Sequence, residues 1–278
     1  MRVDATTAMP RVFAQRPYEL AMGLKRLDPA SWLMVSEHYD AEIAEKRRLL
    51  ADGADIVRAL PEAAPAVAET LALIEAFLHA HHPHLLPGAA DTEPLRRAGL
   101  LVQEDLCWLL PSAAGHRLVA AFVAFPARWR LADKIGQPMA AIHGPVPGAN
   151  ARLGGPIERL FATLAVDRPL WRANWSILDD PDLHQPEPKA RHRPIDAAGG
   201  ALFVRVERQT LRRLPATGAV LFTIHSFVQP LAEVAADPEA ARALADRLDE
   251  MPAAMRAYKN LENLRPAVQR YLRERAAT

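Results

Sequence analysis

One cysteine, Cys107, is the whole thiol content of this 278-residue chain. That excludes an internal disulfide, a cysteine-based zinc site and an iron–sulfur cluster held by this chain alone. Aromatic residues are sparse at 6%, and the 13 glycines are outnumbered by 24 prolines, which implies many fixed loops and capped ends. Charge of one sign is missing too: 34 basic residues stand against 33 acidic ones, mixed along the chain. A net charge of +1 gives no argument for a nucleic acid or an anionic membrane as partner. Half the residues are hydrophobic, yet no run approaches the roughly 18 to 20 uninterrupted apolar residues of a membrane span. "MRVDATTAMPRVFAQRPYEL" at the N-terminus lacks the apolar core of a secretory signal, so a cytoplasmic protein is expected. No GxGxxG, Walker A or HExxH pattern occurs, which leaves dinucleotide, P-loop and zincin chemistry without support.

What is present falls into three blocks. Asp40–Leu50 carries acids early and bases late, matching a helix macrodipole, and Pro61–Ala80 is an alanine-rich apolar-periodic helix ending before Pro83. The middle turns to strand-length runs: Leu100–Leu110 and Arg117–Phe125 as a hairpin about "PSAAG", then "PLWRANWSIL". Two further strands flank a turn at Pro215–Gly218, and a short helix starting at Pro156 interrupts the series. "DDPDLHQPEPKARHRPIDAAGG" reads as a polar loop long enough to be functional or mobile. Helices "DPEAARALADRLDEM" and "RPAVQRYLRERA" close the chain. Helices, then about five antiparallel strands, then helices make an α+β protein, with no internal repeat.

Several residues are candidates for chemistry. In "KIGQPMAAIHGPVPG" (134–148), Pro145 and Pro147 fix the backbone after His143, so the imidazole sits where chain direction is tightly specified. That suits a metal ligand and equally a histidine bonded within a turn. His79, His81, His82 and His84 in "HAHHPH" look like a metal cluster, but no carboxylate or cysteine accompanies them at zinc-like spacing. A helix C-terminus favours histidine anyway, and that reading is preferred. In "FVRVERQ", Leu202, Val204 and Val206 face one way, while Arg205, Glu207 and Gln209 share the other face with Phe203. Such a face lines a polar pocket or simply meets solvent. Asn174 and Trp175 stand beside Arg172, where an asparagine amide serves a site or a turn. Cys107 in "LCWLL" reads as a small core hydrophobe, and the neighbours Glu104 and Asp105 face opposite sides of a strand, which argues against a paired-acid site.

"EDLCWL", "KIGQPMAAIHGPVPG", "RANW" and "RVERQTLRRLPATGAVLFTIHSF" together resemble the alpha subunit of haem-dependent oxidative N-demethylase and its relatives. "MGLKRLDPASWLMVSEHYDAEIAEKRRLL" resembles that family's opening and "MRAYKNL" its close, so the likeness spans nearly the whole chain. "FPARW" (125–129) departs from the family, with Ala127 where a serine is expected.

The resemblance implies one haem-binding PAS-like domain over 1–278, with helical extensions at about 1–95 and 231–278. It implies a haem b subunit that activates dioxygen to demethylate a small secondary or tertiary amine. Electrons would come from NADPH through flavin and iron–sulfur centres in a partner reductase. His143 becomes the axial iron ligand. His225, standing where relatives carry arginine or lysine, competes for that role or contacts a propionate. Arg205, Lys134 and Trp175 fall to the cofactor's surroundings; Glu207, Gln209 and Asn174 fall to the reaction chamber, Glu207 as acceptor for a protonated amine. A haem-binding sensor module without turnover, or a relative that has lost haem, is the alternative.

Overall fold

Residues 2–14, 18–88, 91–187 and 202–277 are described by the computed structural model. Their strands pair into one antiparallel sheet of order β1-β5-β6-β7-β3-β4-β2. The five long members are β3 (Asp105–Ser112), β4 (Gly115–Phe122), β5 (Leu170–Leu178), β6 (Phe203–Arg213) and β7 (Val220–Pro230). All five overlap the strand-length runs of the sequence, but the run expected at Leu100–Leu110 begins in α4 and turns to strand only at Asp105. Two edge strands, β1 (Lys25–Arg26) and β2 (Val57–Ala59), raise the count from the expected five to seven. At two and three residues they are too short to carry a period-2 pattern, and main-chain pairing alone defines them.

The helices are α1 (Ala5–Ala8), α2 (Tyr39–Ala51), α3 (Ala64–His81), α4 (Pro94–Leu101), α5 (Met139–Ile142), α6 (Gly155–Thr163), α7 (Leu231–Val234), α8 (Pro238–Glu250), α9 (Ala253–Tyr258) and α10 (Arg265–Ala276). Proline opens α4 and α8, where the missing N–H is harmless. Glu93 caps α4 by accepting from the N–H groups of Leu95 and Arg96 at 3.0 and 2.7 Å, and Asp237 caps α8 in the same way. Such a cap contributes roughly 1 kcal/mol.

Alternation along the strands sorts the core into two faces. On the first, Leu106, Trp108, Phe122 and Leu221 pack against α2, α3 and α4. Further along that face Trp175, Ile177, Val204, Val206 and Phe227 pack against α8 and α10. The opposite face buries Cys107, Leu109, Leu118, Ala121, Leu211 and Val220 beneath Phe161 of α6, with Met139 and Ile142 of α5 alongside. Each large apolar side chain so buried contributes about 1.5–3 kcal/mol. Residues 61–81 are long and apolar enough to span a membrane by length and composition, with a mean hydropathy of 1.3, which the absence of an unbroken apolar run did not suggest. In the fold Ala66, Val67, Thr70, Ile74 and Leu78 of α3 are buried, and Thr70 Oγ1 accepts from Trp108 Nε1 at 2.8 Å. Gly99 of α4 is required by close approach, since a Cβ there would lie 2.2 Å from the Phe122 ring.

The polar stretch 179–200 is described only to residue 187, so its expected role as a mobile functional loop lies largely outside the described residues.

Candidate functional site

The segment after β4 crosses the second face of the sheet. Pro138 caps the start of α5, and His143 ends it in a helical backbone conformation, φ −87° and ψ −5°. The His143 main chain is held on both sides: its N–H donates to Met139 O at 2.9 Å, and its carbonyl accepts from Val146 N–H at 2.9 Å. Gly148 then takes a left-handed φ of +72°, a conformation a β-carbon disfavours, and turns the chain toward α6. Lys134 Nζ donates to the Ile142 carbonyl at 2.9 Å, beside His143. The imidazole is half-buried. Burial first, then the Arg172 and Lys134 charges, pull its pKa below the ordinary histidine value. At neutral pH it is therefore the neutral ring, with a lone pair on one nitrogen.

Facing it are the outward-turned residues of β5 and β6. The pairs Arg172↔Gln209 and Asn174↔Glu207 place four polar side chains on the same side of the two strands, all half-buried. Gln209 Nε2 donates to Glu207 Oε2 at 3.2 Å, and Arg205 Nε lies 3.4 Å from Glu207 Oε1. The Nε of Arg172 is buried with no hydrogen-bond partner among the described residues, as is that of Arg205. Burial pulls the Arg172 guanidinium below its usual pKa, with Glu207 opposing.

A third wall comes from the chain's far end. Past its second residue β5 has no outer neighbour among the described residues, because β1 pairs only with Leu170 and Trp171. Lys259, just beyond α9, fills that edge: its Nζ donates to the Trp175 carbonyl at 2.8 Å and lies 3.4 Å from Asn174 Oδ1. Burial, against the pull of Glu207 and with the help of Arg172, brings the Lys259 amine down to about 8. Tyr258, adjacent and 44% exposed, is close enough to Glu207 to feel its charge. His143, Lys134, Arg172, Asn174, Glu207, Gln209 and Lys259 thus gather into one partly shielded polar cluster on this face, the recess, beside the apolar residues Leu170, Phe222 and Ile142.

Three expected site residues do not join it. His225 pairs with Arg208, so alternation sends it to the other face, where it is 1% exposed and its Nδ1 lies 3.2 Å from Glu104 Oε1. It is not placed to contact a group held by His143. Trp175 likewise turns inward, meeting Phe13 edge-on at 6.3 Å; only its carbonyl reaches the recess rim. Arg205 lies on the correct face but is buried beneath it. It donates to the carbonyls of Leu183 and Phe125 and to Ser226 Oγ, and it is 1% exposed. It holds Glu207 and two loops.

Glu104 and Asp105 do face opposite ways, and both are fully buried. Glu104 accepts from Met34 N–H at 2.9 Å; burial pushes its pKa up, but His225 and that N–H leave it below the usual carboxylate range. Burial pushes Asp105 up to about 6, against Lys46 and the N–H groups of Ala124 and Phe125. Cys107 lies in the apolar cluster under α6, where burial raises its thiol far above ordinary values, so no thiolate forms. The histidines of "HAHHPH" end α3 and follow it, and no group of three or more His, Cys, Asp or Glu side chains is placed to hold a metal ion among the described residues.

Sequence reasoning missed Arg172 and Lys259 as site residues. Arg172 was legible, since i and i+2 on a strand share a face and Asn174 was already a candidate. Lys259 sits 85 residues from Asn174 and only the fold unites them.

A sequence model described as haem-dependent oxidative N-demethylase, alpha subunit-like, matches residues 23–89 and 86–269, which take in every strand and all three walls of the recess, and the chain belongs to that family.

Proposed function

We propose that this chain is the haem-holding subunit of an enzyme that oxidatively demethylates a small secondary or tertiary amine, and that the recess around His143 is where haem b and the amine meet. One observation carries the reading: a neutral, half-buried imidazole on a rigid backbone shares a recess with a guanidinium whose Nε has no partner. The first is the donor form that haem iron takes, and the second awaits an anion such as a propionate. The residues present fit a haem on both counts. His143 would hold the iron, Arg172 and Lys134 would meet the propionates, and Leu170, Phe222 and Ile142 would bed the macrocycle. The bound group would supply iron for activating dioxygen.

The chain's own residues account for the amine. A dimethylamine-like substrate is cationic at neutral pH and needs a carboxylate in a partly desolvated site. Glu207 offers one, 16% exposed, aimed by Gln209 and braced from below by Arg205. Asn174 Oδ1 adds a neutral acceptor at the rim beside Lys259. The PAS-like reading of the architecture is supported by the central order β5-β6-β7-β3-β4, with the α5–α6 crossover roofing one face. A lone cysteine leaves the chain without an iron–sulfur centre of its own, so electrons from NADPH would arrive through a reductase partner carrying flavin and iron–sulfur centres. The family's description as an alpha subunit supports such partners.

Haemin titrated into the purified protein tests the reading through the Soret band. Wild type is expected to give a saturable, shifted band, and His143→Ala to lose the histidine-ligated spectrum. An identical band in the mutant removes His143 from the iron.

A further inference from the structure

Neither iron nor a cationic substrate calls for Lys259, yet the fold fixes its amine at the polar cluster. Its main-chain N–H donates to Met255 O at 2.9 Å, which ends α9. Asn260 then turns the chain in a left-handed conformation, φ +56°, with its N–H on Ala257 O at 3.0 Å. From that pinned backbone the side chain reaches the edge of β5, where Nζ donates to the Trp175 carbonyl at 2.8 Å and lies 3.4 Å from Asn174 Oδ1. Asn174 is paired with Glu207 across the strands, and directly paired residues hold their β-carbons about 4.5–5.5 Å apart. A carboxylate therefore stands one side chain away from the amine.

Two features set Lys259 apart from a lysine that merely covers a strand edge. Among the described residues no carboxylate comes within ion-pair distance of Nζ, since Glu207 is held instead by Arg205 at 3.4 Å and by Gln209 at 3.2 Å. Burial and the Arg172 charge, two residues from Asn174 on the same strand, both favour loss of the proton against the pull of Glu207. Desolvation and a neighbouring cation are the conditions that turn a lysine into a nucleophile. A neutral amine that donates to the Trp175 carbonyl keeps its lone pair for attack elsewhere. Lys259 is half-buried rather than sealed, which leaves it within reach of a small molecule.

We propose that Lys259 captures small aldehydes, formaldehyde first among them, as a reversible imine, with Glu207 moving the protons. The Nζ lone pair bonds to the aldehyde carbon as the carbonyl π pair withdraws onto oxygen. Glu207 carries the proton that Nζ sheds to that oxygen, giving a carbinolamine. The nitrogen lone pair then expels the hydroxyl as water, a second Nζ proton passing by the same carboxylate, and the C=N bond remains. One water is released, and no oxidant or reductant is consumed. Oxidative loss of a methyl group from an amine releases its carbon as formaldehyde, so the choice of that aldehyde rests on the demethylating role proposed for the recess; the capture of aldehydes by Lys259 does not. Its consequence would be a reactive product retained where it forms.

Treating the haem-free protein with limiting formaldehyde and sodium cyanoborohydride near neutral pH tests the proposal, because the hydride traps the imine as a methylated lysine that peptide mass spectrometry assigns. The chain has five lysines, and Lys25, exposed on β1, serves as the internal standard. Lys259 is expected to be methylated about tenfold faster than Lys25. Glu207→Gln separates capture from mere loss of basicity. It removes an attraction that helps Lys259 keep its proton, so acylation of Lys259 should speed up, whereas imine trapping should slow about tenfold for want of the proton carrier. Equal methylation of Lys259 and Lys25, or trapping that is unchanged or faster in Glu207→Gln, overturns the proposal. The wild-type comparison of the two lysines decides the matter if Glu207→Gln fails to fold. No haem enters the assay: a missing Soret band would leave the capture standing, and equal methylation would leave the haem site standing.

Discussion

Replacing Arg172 by methionine is expected to make the haem-free protein more stable and a poorer holder of haem. A buried ion carries an effective desolvation penalty of several kcal/mol unless partners offset it. For Arg172 the offset is partial: Glu207 attracts it from the neighbouring strand, but its Nε has no hydrogen-bond partner among the described residues. Methionine keeps most of the aliphatic stem and removes the charge. Glu207 is not abandoned, because Arg205 and Gln209 still hold both its oxygens at 3.4 and 3.2 Å. The net gain should be about 1–2 kcal/mol, or roughly 2–4 °C in Tm for a chain of this size. Urea denaturation of the haem-free protein reads it as a higher midpoint at unchanged slope. Haemin affinity of the same variant should fall about tenfold, from loss of one charge-assisted contact. A variant destabilised by more than about 1 kcal/mol refutes the reasoning, since the guanidinium would then be a structural strut.

Arg205→Met provides the opposite case. It strips a 1% exposed guanidinium from Glu207, Ser226 and two carbonyls, and urea melts should show a loss of about 3–5 kcal/mol. Gly99→Ala drives a methyl group to within 2.2 Å of the Phe122 ring, and denaturation should register about 2–3 kcal/mol of destabilisation from overpacking between α4 and β4. Lys259, its pKa lowered from 10.5 to about 8, should be half-labelled by an amine acylating reagent near pH 8 in peptide mass spectrometry, well below an ordinary exposed lysine. The sign follows for stability: between pH 8 and 10.5 the unfolded chain holds the Lys259 proton that the folded one has released, so this group's contribution rises with pH. A labelling midpoint near 10.5 would mean that Lys259 stands in water.

The long strands were legible because their side chains alternate between a buried face and a polar one. In β6 the split between Val204 and Val206 on one side and Arg205, Glu207 and Gln209 on the other can be read from seven letters. The rule gives sides of a strand but not what covers them. Trp175 looked like a site residue because it adjoins Asn174, and adjacency on a strand means opposite faces; His225 rested on its place in a family-like motif, which does not tell the side of a strand. Arg205 failed for another reason: its face was right, but the carbonyls that consume it come from residues 125 and 183, far along the chain. The recess is assembled from His143, β5, β6 and Lys259, segments whose proximity is a property of the sheet order alone. The stiff backbone about His143, by contrast, was written in its prolines.

The hairpin of β6 and β7 runs in unbroken pairing from Phe203↔Pro230 to Arg213↔Val220. One face of that ribbon packs the hydrophobic interior while the other furnishes Glu207 and Gln209 to the recess. A single added residue within β6 would exchange its two sides, driving a guanidinium and a carboxylate into the apolar interior and turning valines toward the recess. Chain length here is therefore held more tightly than residue identity: this ribbon can absorb many replacements, but it has no room for an insertion or a deletion.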